Sequence, residues 1–92
     1  MNESGTSLEA LVGCTVVIDV EALFVYIGRL EGLESQYLVL ADADVHDLRD
    51  TSTTRELYIL ETRQHGIRAN RSRVLIRRDQ VLSLSDLDDV IE

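Results

Sequence analysis

Apolar residues occupy every second position over several short stretches of this sequence. In residues 14–20, for example, Val16, Ile18 and Val20 fall on one face and the intervening positions on the other. A period of two is typical of a β-strand. The pattern predicts five strands, over residues 14–20, 23–31, 36–41, 73–76 and 80–85. Short connections between the first three predict an antiparallel meander, and Gly28 marks a bend or bulge in the second.

Two capping-box patterns predict helices. Thr6-x-x-Glu9, with Gly13 as C-cap, predicts a short helix over about residues 7–12. Thr53-x-x-Glu56 and Gly66 predict a second helix over about residues 54–65. Its one apolar side is predicted to contain Leu57, Leu60 and Gln64, with Tyr58 and Ile59 nearby. Residues 57–60 also fit a short strand, so the pattern leaves both alternatives open. Residues 67–72 form a basic connector.

Composition indicates one small domain. The chain has 92 residues, of which 45% are hydrophobic, with no Trp and one Phe, so Val, Leu and Ile must supply the core. We expect a single domain over residues 1–92, in which residues 1–5 and about 88–92 are the segments that could be flexible. The single cysteine, Cys14, and the lack of a signal peptide or a long apolar run predict a cytoplasmic protein without a membrane partner.

Charge is sorted along the chain. The formal net charge is −8, which opposes long-range attraction to nucleic acid, so any RNA site must be local. Residues 62–78 hold six arginines and no acid, whereas the fourteen residues after Arg78 hold five acids and no base. Lysine is absent, so every base is a planar guanidinium suited to bidentate hydrogen bonding or stacking.

Two motifs resemble those of the Sm-like (LSm) family of small bent barrels. The first combines Leu11-Val12-Gly13, Val16-x-Ile18, Tyr26-x-Gly28-x-Leu30 and Leu38-x-Leu40-x-Asp42-Ala43, and the second is Val74-Leu75-Ile76-Arg77-Arg78-Asp79-Gln80-Val81. The resemblance spans about residues 8–85. It implies a mainly β fold: a strongly bent, five-stranded antiparallel barrel with a short N-terminal helix and a helix inserted between strands 3 and 4.

The sequence departs from the family pattern at two places. Glu34-Ser35-Gln36-Tyr37 is one residue shorter than the family's loop and lacks its Asn, and Arg78 stands where the family has Gly. These departures count against recognition of uridine in the family's usual way, and they leave the barrel unaffected.

The resemblance also implies assembly and a ligand. Sm-like proteins form rings, usually of six or seven subunits, by pairing the fourth strand of one subunit with the fifth of the next, which here assigns Val74, Ile76, Val81 and Leu82 to the interface. Apolar strand edges of this kind are a liability unless they are paired. The same resemblance places Arg77, Arg78, Tyr37 and Gln36 at the pore, where they would bind single-stranded RNA or a nucleotide. The alternative is a ring-forming scaffold for protein partners without a nucleic-acid ligand.

Other candidate sites are weaker. Asp42, Asp44 and His46 alternate, so an extended backbone would align three potential metal ligands, yet a solvated acidic loop is the commoner outcome and we assign no metal or cofactor. The arginines of residues 63–73 could follow a phosphate backbone, although pairing with the chain's own acids is favoured. Cys14 has no evident His partner, and no phosphate-binding glycine loop is present, so we expect no enzyme.

Overall fold

The computed structural model describes residues 7–50 and 52–92. Five antiparallel strands form one strongly bent sheet, in the order β4-β3-β2-β1-β5. The strands are β1 (Thr15–Val20), β2 (Phe24–Leu33), β3 (Tyr37–Asp47), β4 (Arg71–Arg77) and β5 (Val81–Asp86). The predicted mainly β fold is confirmed, and its meander of three strands extends to four before β5 returns to pair with β1. Strands β4 and β5 therefore form the two edges.

One α-helix, α1 (Arg55–His65), connects β3 to β4 and confirms the predicted inserted helix. The predicted N-cap is wrong by one residue, because the hydroxyl of Thr54, not of Thr53, accepts a hydrogen bond from the Leu57 N–H at 3.2 Å. Gly66 ends the helix as predicted. Its φ of 93° is a conformation that favours glycine, and its N–H donates to the Thr62 carbonyl.

The predicted N-terminal helix is a 3-10 helix, Leu8–Leu11, and not an α-helix. Thr6, the predicted capping residue, lies outside the described residues. Gly13 follows the helix with a φ of 95°, and its N–H donates to the Leu30 carbonyl at 2.7 Å. This bond directs the chain into β1. Within the described residues, further 3-10 turns lie at Leu48–Asp50, Arg78–Gln80 and Leu87–Asp89.

Apolar side chains form one cluster on each face of the sheet. The barrel cluster contains the positions that the alternation predicted, and its buried members are Val16, Ile18, Val20, Leu30, Leu38, Leu40, Ala43 and Ile76. The helix cluster lies on the opposite face and is formed by Val17, Val25, Ile27, Ile59 and Leu87. Because α1 covers this second face, Val17 is buried although it alternates with Val16.

The apolar side assigned to α1 from the sequence is right only in part. Ile59 is buried, and Tyr58 and Leu60 are half-buried. Thr62, which was not predicted, is also buried, whereas Leu57 is 48% exposed. The ion pair between Arg55 and Asp19 of β1 fixes the start of the helix on the sheet. Near its end, Arg63 pairs with Glu92 at 3.0 Å, so the last residues of the chain contact the helix.

A bulge divides β3 into two halves. The ladder with β2 passes from Ile27↔Asp44 to Arg29↔Ala41, leaving Gly28 opposite two residues. A Cβ on Gly28 would lie 2.9 Å from the Ala43 Cβ, so only glycine fits there, as its place in the strand predicted. Asp42 has a φ of 50°. This kink lets β3 continue to Asp47, and the prediction that residues 42–47 form an acidic loop is wrong.

Candidate functional site

Four exposed residues predicted to bind RNA lie together where the β2–β3 and β4–β5 turns meet. Gln36, Tyr37, Arg77 and Arg78 form what we call the turn cluster. Tyr37 and Arg77 are directly paired in the β3–β4 ladder. The Arg78 N–H donates to the Gln36 carbonyl at 2.9 Å, and the Arg78 guanidinium donates to the Glu34 carbonyl at 2.8 Å. Two turns far apart in sequence are thereby held together.

The two arginines of the turn cluster keep donors available. Arg77 pairs with Asp79 at 2.8 Å, and both side chains are 60% exposed. An exposed ion pair of this kind contributes only about 0–1 kcal/mol, so an incoming phosphate can displace the carboxylate at little cost. Arg78 uses one guanidinium nitrogen on a neutral carbonyl and forms no ion pair among the described residues. With the Tyr37 ring beside them, these groups can bind phosphates and stack on bases.

The residues predicted to join subunits lie on the two edge strands. Ile76 is buried, and Val74 and Val81 pack against the barrel cluster of their own chain. Leu82 is 65% exposed. Leu75, which belongs to the same apolar edge, is 51% exposed on β4. It alternates with Val74 and Ile76 and therefore faces away from the barrel interior. Interface roles for these residues remain predictions.

A second group of polar residues lies between the far half of β3 and α1. We name Asp44, His46, Tyr58 and Asn70 the buried cluster after Asp44, which is 4% exposed; His46 and Tyr58 are half-buried, and Asn70 is exposed. The Tyr58 hydroxyl donates to the Asp44 carboxylate, and the Tyr58 ring stacks on His46 with centroids 3.8 Å apart and planes at 9°. Burial, reinforced by the bond to Asp44, raises the pKa of Tyr58, so the phenol stays protonated. The cluster thus secures α1 to the sheet.

Asn70 completes the buried cluster from the segment before β4. Its side-chain oxygen accepts from the Val45 N–H, and its amide nitrogen donates to the Val45 carbonyl, both at 3.0 Å. Its own N–H donates to the Ala43 carbonyl at 2.8 Å. The side-chain amide therefore occupies the hydrogen-bonding positions that a neighbouring strand would use. It does so one residue before β4 begins.

The buried cluster borders a pocket of about 590 Å³, whose rim includes Glu61, His65 and Arg68. Most polar atoms of its floor already bond to one another. His46 Nε2 has no hydrogen-bond partner among the described residues, but it is shielded from solvent.

The alignment of Asp42, Asp44 and His46 predicted for a metal does not form. The bulge turns Asp42 outward to pair with Arg29, while Asp44 is buried. Across residues 7–50 and 52–92, no three potential ligands come together in a way that could hold a metal ion.

The arginines of residues 63–73 are partly neutralised by acids of the same chain, as the sequence favoured. Arg63 pairs with Glu92, and Arg73 pairs with Glu31 at 3.1 Å. Arg68 and Arg71 form no ion pair in the part of the chain that the structure describes. The same part contains no helix long and apolar enough to cross a membrane.

Comparison with known proteins agrees with this architecture. No protein-family model and no curated protein matches the chain. Among solved structures, the chain is similar to an Sm protein of Pyrococcus abyssii in complex with a uridine heptamer, with a TM-score of 0.57 and 22% identity. The match covers 85% of this chain and 89% of that protein. The fold is Sm-like. This confirms the fold implied by the two sequence motifs, and within the Sm-like fold α1 is the insertion predicted between strands 3 and 4.

Proposed function

We propose that this chain assembles into a closed ring and binds single-stranded RNA, or a nucleotide, at the turn cluster. The observation that carries the proposal is the convergence of Arg77, Arg78, Tyr37 and Gln36 on one exposed site. The Sm-like fold adds support, since the Pyrococcus abyssii protein of that fold was solved with a uridine heptamer. The proposal involves no catalytic step and no cofactor, and it places the ring in the cytoplasm.

Each residue type of the turn cluster has a distinct role in the proposal. The guanidinium groups of Arg77 and Arg78 bind phosphate oxygens, the Tyr37 ring stacks on a base, and the Gln36 amide hydrogen-bonds to a base edge. A ring multiplies the weak attraction of one site, because each subunit adds two arginines to the same pore. This local concentration of positive charge opposes the repulsion expected from a chain of net charge −8.

Ring closure in the proposal uses the two free edges of the sheet. Strands β4 and β5 each have one partner within the described residues, on β3 and β1 respectively. Exposed edge strands pair readily with other chains. Pairing β4 of one copy with β5 of the next would cover both edges, together with Leu75 and Leu82.

A ring-forming scaffold without nucleic acid is the alternative function, and two observations favour it. Arg77 already has a carboxylate partner in Asp79, and the Arg78 guanidinium already binds a backbone carbonyl. The net charge of −8 also favours a scaffold without nucleic acid, because it repels polyanions. In that case, the exposed side of α1 or the acidic surfaces would contact protein partners.

RNA binding can be tested by fluorescence anisotropy with labelled oligo-U and oligo-A at 50 mM salt. We expect saturable binding that weakens as salt rises, and a loss of affinity of at least about tenfold in Arg77→Ala/Arg78→Ala. Arg49→Ala is the matched control, since Arg49 is an exposed, ion-paired arginine outside the turn cluster. If the wild-type chain fails to bind either oligonucleotide at 50 mM salt, the scaffold function stands instead.

Ring assembly needs a separate measurement. Native mass spectrometry and light scattering of the wild-type chain should give one closed oligomer at micromolar concentration. A monomer under these conditions would contradict assembly. An oligomer that binds no RNA would retain the ring and reject the ligand.

A further inference from the structure

The two free edges of the sheet carry opposite charges. Strand β4 begins with Arg71 and Arg73, both exposed. Strand β5 ends at Asp86 and is followed by the exposed residues Asp88 and Asp89. Neither Asp88 nor Asp89 forms an ion pair within residues 7–50 and 52–92, and the same holds for Arg71. One edge therefore has unused positive charge and the other unused negative charge.

These charges also lie on the same face of the sheet. Side chains alternate along a strand, and Val74 packs against the barrel cluster, so Arg71 and Arg73 face the opposite side. That opposite side is the one covered by α1. Leu87 packs into the helix cluster on this side, which brings the turn containing Asp88 and Asp89 to the same face.

Charge distinguishes between the two ways in which the edges can pair. Strands β4 and β5 have seven and six residues, so they match in length. An antiparallel pairing sets the start of β4 beside the end of β5, which brings Arg71 and Arg73 close to the acidic turn. A parallel pairing sets the start of β4 beside Val81 and Leu82. Arg73 would then keep only its intrachain partner Glu31, and Arg71 and the acidic turn would have no partner across the edge.

We propose that copies of this chain join antiparallel through an electrostatic seam, in which Arg71 and Arg73 of one copy face Asp88 and Asp89 of the next. This inference rests on the proposed ring and adds what sets its orientation and its response to salt. Backbone hydrogen bonds can form in either orientation, with only a slight preference for the antiparallel one. The seam gives a role to the charges that have no partner within one copy, because Arg71 lies before residue 79, Asp88 and Asp89 lie after it, and none of the three forms an ion pair within the described residues.

Salt sensitivity follows from the exposure of these side chains. The screening length is about 10 Å at 0.1 M salt and about 3 Å at 1 M, so exposed pairs weaken strongly over that range. We expect the dissociation constant between copies to rise at least about tenfold from 0.05 M to 1 M sodium chloride. A seam formed only by backbone bonds and by Leu75 and Leu82 would hold or strengthen with salt.

Two charge-reversal variants test the seam directly. Arg71→Glu/Arg73→Glu makes both edges acidic, and Asp88→Arg/Asp89→Arg makes both basic. We expect each variant alone to remain monomeric in native mass spectrometry at a concentration where the wild type assembles. An equimolar mixture should assemble again, with the two variants alternating and with an even number of subunits, because each edge then meets its opposite charge.

The matched control is Glu9→Arg/Asp50→Arg, which changes net charge as much as Asp88→Arg/Asp89→Arg but at exposed acids outside β4, β5 and the acidic turn. It should assemble like the wild type. Circular dichroism melts verify that every variant folds, and recovery in the mixture excludes misfolding as the cause of a monomer. If wild-type rings form and both reversal variants still assemble alone, the seam is wrong while the ring stands. A monomeric wild type would overturn the ring itself.

Discussion

The two halves of β3 carry polar residues in opposite circumstances. Before the bulge, Tyr37 lies in the exposed turn cluster, where charges pair weakly and compete with water. After it, Asp44 and His46 lie under α1 and contact Tyr58. Burial, and not residue type, therefore decides whether a polar group holds the fold together or stays available to a ligand. Changes beneath α1 should therefore reduce stability, and changes in the turn cluster should reduce binding.

The largest effect is expected where α1 packs on the helix cluster. Ile59→Ala removes a side chain that is only 6% exposed, and we expect the free energy of unfolding to fall by about 2–5 kcal/mol. Leu57→Ala, on the exposed side of the same helix, is the control and should cost less than about 1 kcal/mol. Urea denaturation measures both. Equal losses would mean that α1 does not pack as described.

The next effect concerns the bulge that separates the two halves. Gly28→Ala places a Cβ against the Ala43 side chain and backbone, at 2.9 and 3.0 Å, and should lower the free energy of unfolding by about 1–3 kcal/mol. A Cβ on Gly32, in the same strand, would meet nothing within 4 Å, so Gly32→Ala should be nearly neutral. Thermal melts of the two variants give the comparison. A neutral Gly28→Ala would contradict the close approach of β2 and β3.

A comparable loss is expected when the hydrogen bond within the buried cluster is removed. Tyr58→Phe leaves the buried Asp44 carboxylate without its hydroxyl donor and should cost about 1–3 kcal/mol. Tyr37→Phe, in the turn cluster, should leave stability unchanged within about 0.5 kcal/mol. Chemical denaturation at pH 7 distinguishes the two tyrosines.

The hydrogen bond between Tyr58 and Asp44 also predicts that the free energy of unfolding falls at alkaline pH. The folded state raises the pKa of Tyr58 above its ordinary value of 10.0, so its contribution to stability is fully present below pH 10 and is lost as pH rises toward the folded pKa. Tyr58→Phe should lack this part of the alkaline destabilisation. An identical alkaline profile in both proteins would count against a protonated, bonded phenol.

The smallest effect lies at the end of β3. The Arg49 side chain and backbone donate to Asp47, and these bonds lower the pKa of that carboxyl from 3.8 to about 2. Because the folded pKa is lowered, the associated stability is present above pH 3.8 and is lost as pH falls toward 2. An NMR titration should detect the low value. Arg49→Ala should return the pKa toward 3.8, and an unchanged titration would exclude Arg49 as the cause.

Alternation predicted the first half of β3 and the barrel cluster well, because the barrel interior accepts only one face of each strand. The second half was missed. The positive φ at Asp42 forms a bulge, after which β3 continues through the acidic residues to Asp47. Nothing local in the sequence distinguishes that bulge from a loop. The packing face of α1 was predicted only in part for a related reason. The sheet beneath the helix, and not the helix period alone, determines that Thr62 is buried beside Ile59 while Leu57 is exposed.

The turn cluster shows what a family resemblance adds. Gln36 and Arg78 are far apart in sequence, and no periodicity relates them, yet the motif around Arg77 placed them at one site, where the backbone bond between them now lies. The buried cluster had only a faint signal in the alternation of Asp44 and His46. Its other members, Tyr58 and Asn70, come from a helix and a connector whose positions only the folded chain determines.

The side chain of Asn70 has a consequence for how molecules of this protein meet. By bonding to both backbone groups of Val45, it occupies the stretch of β3 that extends past β4 and would otherwise accept a foreign strand. Another peptide strand cannot form backbone hydrogen bonds with Val45, because Asn70 already does so. Within the described residues, the backbone groups of Val45 are therefore closed to pairing with another chain, and the outer sides of β4 and β5 are the free edges of the sheet.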